Sequence, residues 1–317
     1  MGKYLFKSKN IFINLTYKCC AKCEKCITRH HINVNRDMDM ETMNMVLSKL
    51  RKSDYRGLVS IGSGEPLLYK NLAVFIKEIL NINDKIRLRI LTNGVLFKEE
   101  IQRLYYNPRI LWGITLDGFC NEDLEGLQHG VDIEVVKENI LSFISKYKGK
   151  GLYLNYTLNE KNKDNLINYL KFCKSNKIEE VYVTELKVFD KYYDKLIPYK
   201  LDLSKDNTKK VLKEAKEYVA LNELNIGFGK SCFKPKCWER RRVSPIIDVD
   251  GSVTFCAGRE DVDVGNIRDY HIEMKWLRVL KSLVESYNGE KWCNYCGDRC
   301  DEEGIYRFPK KKYTLKQ

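Results

Sequence analysis

The stretch IFINLTYKCCAKCEKC, residues 11–26, decides how the rest of the chain is read. Its β-branched start, Ile11–Thr16, predicts a strand, and a cysteine-rich segment follows at once. Cys19, Cys23 and Cys26 form a Cys-x3-Cys-x2-Cys pattern. Three thiolates without a fourth can hold three irons of a cubane cluster and leave the last iron open to an outside ligand. A closed structural site wants four protein ligands. From this segment alone zinc stays open, with His30 or His31 as a fourth ligand, because Cys26-x3-His30 is acceptable zinc spacing. Cys20 adds a second metal spacing, Cys20-x2-Cys23.

Outward from that stretch, residues 11–185 repeat one theme, a short β-branched run and then a longer helical segment. The runs Leu58–Gly62, Ile86–Thr92, Ile110–Asp117, Gly151–Leu158 and Glu179–Glu185 follow Ile11–Thr16 as expected strands. Leu72, Phe75, Ile76 and Ile79 make one helical stripe, and Val135, Val136, Ile140 and Phe143 another. Six βα units in series imply parallel strands with right-handed crossovers. An open α/β sheet or partial barrel of this kind carries its site at the C-terminal strand ends. Three turns lie there: Ser63-Gly64-Glu65-Pro66, Thr92-Asn93-Gly94 and Thr115-Leu116-Asp117-Gly118. Gly64 offers bare backbone, and Glu65 a carboxylate for an ammonium group. After Glu185 the rhythm stops; 187–204 is irregular and 205–222 reads as a polar helix. Strand candidates Ile246–Val249 and Ser252–Phe255 flank Asp250-Gly251, a hairpin signal, and a helix is expected over about 272–285. The expected organisation is a barrel over 1–190, a linker and helix over 191–229, and a smaller domain over 230–317.

Composition sets the outer limits. The chain has 317 residues, 44% hydrophobic and 31% charged, which fits globular folding in about two domains. No run approaches the roughly 18 apolar residues of a membrane span, and the short run after Lys3, Lys7 and Lys9 is too brief for a secretory signal. A cytoplasmic location without membrane partners is expected. The chain carries 12 cysteines. Those at 19, 20, 23 and 26 gather at one end, those at 232, 237, 256, 293, 296 and 300 at the other, while Cys120 and Cys173 stand apart. With no export signal such clusters point to metal rather than disulfides. The net charge of +13 is spread along the chain and reads as solvated surface; the basic end, 307–316, reads as a frayed tail. Nucleic acid is not an expected partner.

With these motifs in place the chain resembles the radical S-adenosylmethionine (radical SAM) enzymes. Asn14-Leu15-Thr16 leading into Cys19, Cys23 and Cys26 looks like the family's cluster loop, and that spacing selects Cys19 over Cys20. Ser63-Gly64-Glu65-Pro66-Leu67-Leu68 resembles its glycine-glycine-glutamate motif, with Ser63 in place of the first glycine. Leu91-Thr92-Asn93-Gly94 and Ile114-Thr115-Leu116-Asp117-Gly118 resemble the third- and fourth-strand signatures. The resemblance implies a partial (β/α)6 TIM-like barrel, a [4Fe-4S] cluster with an open iron, and S-adenosyl-L-methionine chelated there. Ser63, Gly64, Glu65, Asn93, Thr115 and Asp117 are the expected cofactor-binding residues. Gly64 and Glu65 would hold the amino group, with Asn93 and Thr115 near the ribose or carboxylate. Two positions depart from the pattern. Lys25 stands where an aromatic residue usually lies near the adenine, and Gln128 where related sequences often carry arginine.

The second cysteine group resembles the auxiliary-cluster domains named SPASM and, in shorter form, twitch. Cys237-x13-Gly251-x4-Cys256 followed by Cys293-x2-Cys296 matches the short pattern. Eight thiolates would be needed for two closed clusters and six are present, so one auxiliary [4Fe-4S] cluster is expected on Cys237, Cys256, Cys293 and Cys296. Cys232 and Cys300 are alternates, and structural zinc is the bland alternative. The resemblance implies reductive cleavage of S-adenosylmethionine to a 5′-deoxyadenosyl radical, with the electron from a flavodoxin- or ferredoxin-type donor, and abstraction of a substrate hydrogen atom. Oxidative modification of a peptide or a sugar-like small molecule is the expected outcome. Peptide is placed first because SPASM-type domains often accompany peptide maturation, although the chain starts almost at its first strand, with no room for a leader-binding domain. The rivals are a redox-neutral epimerase with a cysteine hydrogen donor (Cys120, Cys232 or Cys300), an RNA-modifying radical enzyme, and a non-enzymatic zinc protein. A molybdopterin-type cyclase is set aside because the chain ends in Leu315-Lys316-Gln317 rather than a glycine pair. Tyr156, Glu185 and Arg259 are positional candidates only.

Overall fold

All six expected strands form, and they run parallel. The computed structural model describes residues 5–8, 10–26, 35–125, 127–178, 180–186, 196–222, 224, 226–229, 244–254 and 264–285. In chain order the strands and helices are β1 (Asn10–Ile13), β2 (Lys22–Cys23), α1 (Met40–Lys52), β3 (Leu58–Ile61), α2 (Leu72–Leu80), β4 (Arg87–Thr92), α3 (Glu99–Leu104) and β5 (Ile110–Thr115). Then come β6 (Gln128–His129), α4 (Ile133–Tyr147), β7 (Leu152–Leu158), α5 (Leu166–Ser175), β8 (Val181–Glu185), α6 (Asp206–Leu221), β9 (Ile226–Gly229), β10 (Ile246–Ile247), β11 (Val253–Thr254) and α7 (Ile272–Glu285).

The main sheet runs β11-β10-β1-β3-β4-β5-β7-β8-β9. Every neighbouring pair from β10 to β9 is parallel, and only β11 runs against its neighbour. This is an open, partial barrel of the α/β class. Strands such as β3 and β5 are apolar nearly throughout because both faces are covered, as parallel sheets require. The α2 stripe is buried as expected. On α4 the buried face is Ile133, Val136, Ile140 and Phe143, with Val135 turned partly outward. Trp112 of β5 meets Phe97 at 4.7 Å between ring centroids, and Phe97 meets Phe143 of α4 at 5.4 Å. Burying each such ring contributes up to about 3 kcal/mol.

Two features differ from the sequence expectation. The βα rhythm does not stop at Glu185: the polar helix α6 leads into β9, which adds parallel to β8. Its sequence, Ile226-Gly227-Phe228-Gly229, alternates with glycine and so lacks the β-branched density that marks the other strands. The hairpin expected inside the carboxy-terminal unit extends the main sheet, with β10 parallel to β1 (Phe12 opposite Ile246, Ile13 opposite Ile247). Its turn depends on Gly251, at φ +81°, where a Cβ would stand 2.9 Å from the Asn266 side chain. Among the described residues no helix is long and apolar enough to cross a membrane. Cys232, Cys237, Cys256, Cys293, Cys296, Cys300, His30, His31 and Arg259 lie outside the described residues.

Candidate functional site

The loop after β1 is tied down at several points before its first cysteine. Thr16 pairs across an isolated bridge with Asp37, its hydroxyl donating to the Asp37 carboxylate at 2.6 Å and accepting from Lys18 N–H at 3.0 Å. Lys18 Nζ reaches the other Asp37 oxygen at 2.8 Å. Tyr17 donates its hydroxyl to Asp248 beside β10, and Asn14 donates to the same carboxylate at 3.2 Å. The hairpin therefore braces the entry to the cysteine loop. Beyond it, β2 pairs antiparallel with β6, setting Cys23 opposite Gln128 and Lys22 opposite His129. The strand signals used above are too long to reveal two-residue strands, so this pairing was missed.

Turn 63–66 packs directly on this loop. Ser63 and Gly64 both have left-handed backbones, φ +76° and +58°. A Cβ on Gly64 would lie 2.6 Å from the Lys18 carbonyl oxygen and 2.7 Å from that of Thr16. Only glycine permits this approach, and Glu65 N–H then donates to the Lys18 carbonyl at 2.7 Å. The Glu65 side chain does not face outward. It is fully buried, accepting from Thr92 Oγ1 at 2.8 Å, Asn93 N–H at 2.9 Å and Leu67 N–H at 3.2 Å. Burial pushes its carboxyl up to about 7, against those donors, which pull it down. The carboxylate expected to meet an ammonium group thus knits the β3 and β4 turns together.

Asn93 stands over the cysteines. Its amide nitrogen lies 3.3 Å from Cys20 Sγ and 3.8 Å from Cys19 Sγ, and Ala21 N–H reaches Cys19 Sγ at 3.4 Å. Cys20 accepts a hydrogen bond from Cys19, which lowers the Cys20 thiol to about 6 against its burial and raises that of Cys19. Cys20, a bystander by spacing, shares the Asn93 contact with Cys19.

At the end of β5, Thr115 is half-buried and Asp117 fully so. Asp117 forms an ion pair with Lys25, whose side chain is 9% exposed. The second Asp117 oxygen accepts from Thr157 N–H at 2.5 Å, and its carbonyl accepts from Asn162 Nδ2 at 2.7 Å. Burial pulls the Lys25 ammonium down to about 8, opposed by the charge of Cys23 and Cys26. Asp117, expected as a cofactor-binding residue, is joined through Lys25 to the cysteine loop. Cys120 is half-buried in the turn that follows, its thiol raised by burial and by the neighbouring Glu122 carboxylate. Tyr156 is buried with its hydroxyl on the Asn162 carbonyl at 2.6 Å, a core role; Glu185 closes β8.

The residues present fit a thiolate-held cluster. Cys19 and Cys20 have N–H donors, and Lys25, in the loop between Cys23 and Cys26, is within their electrostatic reach; both stabilise anionic sulfur. Among the described residues no three Cys, His, Asp or Glu side chains gather as ligands of a single ion, whereas a cubane takes each thiolate on a separate iron. One acceptor is left over: Gln128, opposite Cys23, is buried, and among the described residues its Oε1 has no hydrogen-bond partner.

Comparison with known proteins bears on family and fold. The chain resembles "Molybdenum cofactor biosynthesis protein 1" of Dictyostelium discoideum, 23% identical over 86% of this chain and 46% of that protein. It also resembles a GTP 3′,8-cyclase of Campylobacter jejuni subsp. doylei, 27% identical over 53% of this chain and 52% of the relative. It thus spans about half the length of these relatives. Among solved structures, Streptococcus suis SuiB bound to S-adenosylmethionine superposes with a TM-score of 0.71 at 18% identity, over 92% of this chain and 71% of SuiB. anSMEcpe with bound AdoMet gives 0.65 at 17% identity, over 86% and 83%. At these identities the structures speak for the fold. The radical SAM superfamily model matches residues 13–173, which contain the cysteine loop and all three rim turns. On that match the chain belongs to the radical SAM superfamily of enzymes.

Proposed function

We propose that this chain is a radical SAM oxidoreductase that carries a [4Fe-4S] cubane on Cys19, Cys23 and Cys26 with one iron open, and acts on a peptide or a sugar-like small molecule. The observation that carries the reading is the seating of turn 63–66 on the cysteine loop, with Asn93 over the sulfurs. The chemistry supplied by the bound cluster and S-adenosylmethionine is reductive scission of the sulfonium and hydrogen-atom abstraction from the substrate. The chain's own residues bind and orient. Gly64 brings bare backbone against the loop, Glu65 holds the β3 and β4 turns in register, and Gln128 supplies an acceptor opposite Cys23. A low-potential electron donor of flavodoxin or ferredoxin type, and an auxiliary cluster on Cys237, Cys256, Cys293 and Cys296, complete the proposal.

Peptide as substrate draws support from the fold neighbours: SuiB is known bound to precursor peptide SuiA, and anSMEcpe with peptides. A second reading, cyclisation of a purine nucleotide, is favoured by the GTP 3′,8-cyclases among the relatives. Anaerobic reconstitution, iron and sulfide counts and detection of 5′-deoxyadenosine test the proposal. Two cubanes' worth of iron is expected in wild type, and one after replacing Cys19, Cys23 and Cys26 with alanine, with loss of 5′-deoxyadenosine. Zinc without inorganic sulfide would sink it. A nucleotide product formed from GTP would replace the peptide or sugar reading with the second.

A further inference from the structure

The Lys25–Asp117 pair is built with more care than a loop contact needs. Lys25 lies between two of the expected cluster ligands, Cys23 and Cys26, and its side chain is 9% exposed while that of Asp117 is not exposed at all. Asp117 cannot turn away. Thr157 N–H holds its other oxygen at 2.5 Å, and Asn162 holds its carbonyl at 2.7 Å. Asn162 is itself fixed, donating to the Thr157 carbonyl at 3.0 Å and accepting from Asn159 N–H at 2.8 Å. A buried pair costs desolvation on both partners and is weak evidence for stability alone. Its placement says more: the cation belongs to the residue set between two expected thiolate ligands, and its buried anionic partner comes from the end of β5. A positive charge beside an anionic cluster favours the reduced state, because reduction adds negative charge.

We propose that Lys25 and Asp117 are positioning residues that set the reduction potential of the cluster: Lys25 presents a fixed cation to the Cys23–Cys26 segment, and Asp117, anchored by Thr157 and Asn162, holds it there. This rests on the cluster reading above. The two charges have opposite effects, so removing each alone moves the potential in opposite directions. A merely structural clamp would move both the same way.

The test is an electron paramagnetic resonance redox titration of the anaerobically reconstituted full chain. Lys25→Met should lower the midpoint and Asp117→Asn should raise it. Each shift should be at least tenfold in the reduced-to-oxidised ratio at fixed applied potential, about 59 mV for one electron. The double variant should return toward wild type. Shifts of the same sign, or none, overturn the proposal. Should either single variant fail to take up iron, the double variant decides. Recovery of iron there attributes the loss to an unpaired buried charge; a midpoint of that variant near the wild-type value then supports the proposal, and a displaced midpoint or failure to recover iron overturns it. A wild-type chain that takes up no iron and sulfide would sink the cluster reading itself, a result distinguishable from these.

Discussion

Two buried carboxylates close strand ends on one rim, Glu65 after β3 and Asp117 after β5, and they are satisfied in opposite ways. Glu65 meets only neutral donors, a threonine hydroxyl and two backbone N–H groups. Burial therefore wins and its carboxyl rises to about 7. Asp117 meets a lysine and one backbone N–H. The backbones differ as well: turn 63–64 has two consecutive left-handed residues, whereas 115–118 has none. The first turn is a tight fit to the cysteine loop made through backbone. The second is a grip on the same loop made through charge. Two acids at equivalent strand ends thus do different work because of what reaches them.

The largest expected effect breaks the charged grip. Lys25→Met leaves the Asp117 carboxylate buried without its cation, and losing one partner of a buried pair costs about 3–5 kcal/mol. Urea unfolding of the cluster-free chain should show that loss. The double Lys25→Met/Asp117→Asn variant should recover most of it, because a neutral amide is cheaper to bury. Equal losses in both variants would mean that the pair contributes through packing alone.

The neutral knot at Glu65 answers to pH instead. A folded-state carboxyl raised from 4.5 to about 7 favours the protonated fold. Its contribution is fully present below about pH 4.5 and is lost as pH rises through 7. At about 1.36 kcal/mol per unit the loss is about 3 kcal/mol. Denaturant midpoints at pH 5 and pH 7.5 should therefore diverge in wild type, and the gap should narrow in Glu65→Gln. A gap unchanged by that substitution would assign the pH dependence to other groups.

How far the sequence carries this contrast follows from distance along the chain. The parallel sheet was legible because its strands are buried on both faces and read as apolar runs. β9 was hidden by its glycines, and the Asp250-Gly251 turn announced a hairpin without saying which sheet receives it. The rim turns were legible as positions, and their residue types suggested ligand contacts. The partners were not legible. Lys25 lies 92 residues from Asp117, and Thr157 lies 40 beyond it. No local pattern shows that one acid faces a cation and the other a hydroxyl. Lys25 itself was the available signal, since a lysine in a thiolate loop at the edge of a barrel needs an acid once it is buried.

A third test addresses the backbone fit. Gly64→Ala forces a left-handed alanine against the Lys18 and Thr16 carbonyls, within 2.7 Å, at a cost of about 2–3 kcal/mol. Gly149→Ala is the matched control, since φ there is +69° but nothing lies within 4 Å of the added Cβ. Thermal unfolding should separate the two by the overpacking contribution, and iron uptake should fall only for Gly64→Ala. Equal costs would show that backbone handedness, and not contact with the cysteine loop, is what Gly64 supplies.

Ser63 provides the smallest and most discriminating case. It holds φ +76° with a side chain attached, a conformation that glycine adopts without penalty. Replacing it relieves the left-handed strain of about 1–2 kcal/mol but gives the unfolded chain more freedom, which returns roughly 0.4–1 kcal/mol. Ser63→Gly should therefore raise stability by about 1 kcal/mol, read as a higher urea midpoint with unchanged slope. The direction carries the argument. If turn 63–66 is shaped by its fit to the cysteine loop, the strain at Ser63 exists because Gly64 must approach Lys18, and relieving it leaves that approach and iron uptake intact. A destabilised Ser63→Gly chain would mean that the serine side chain makes a contact worth more than the strain it bears, and the turn would then be held by side chains on both sides of the rim.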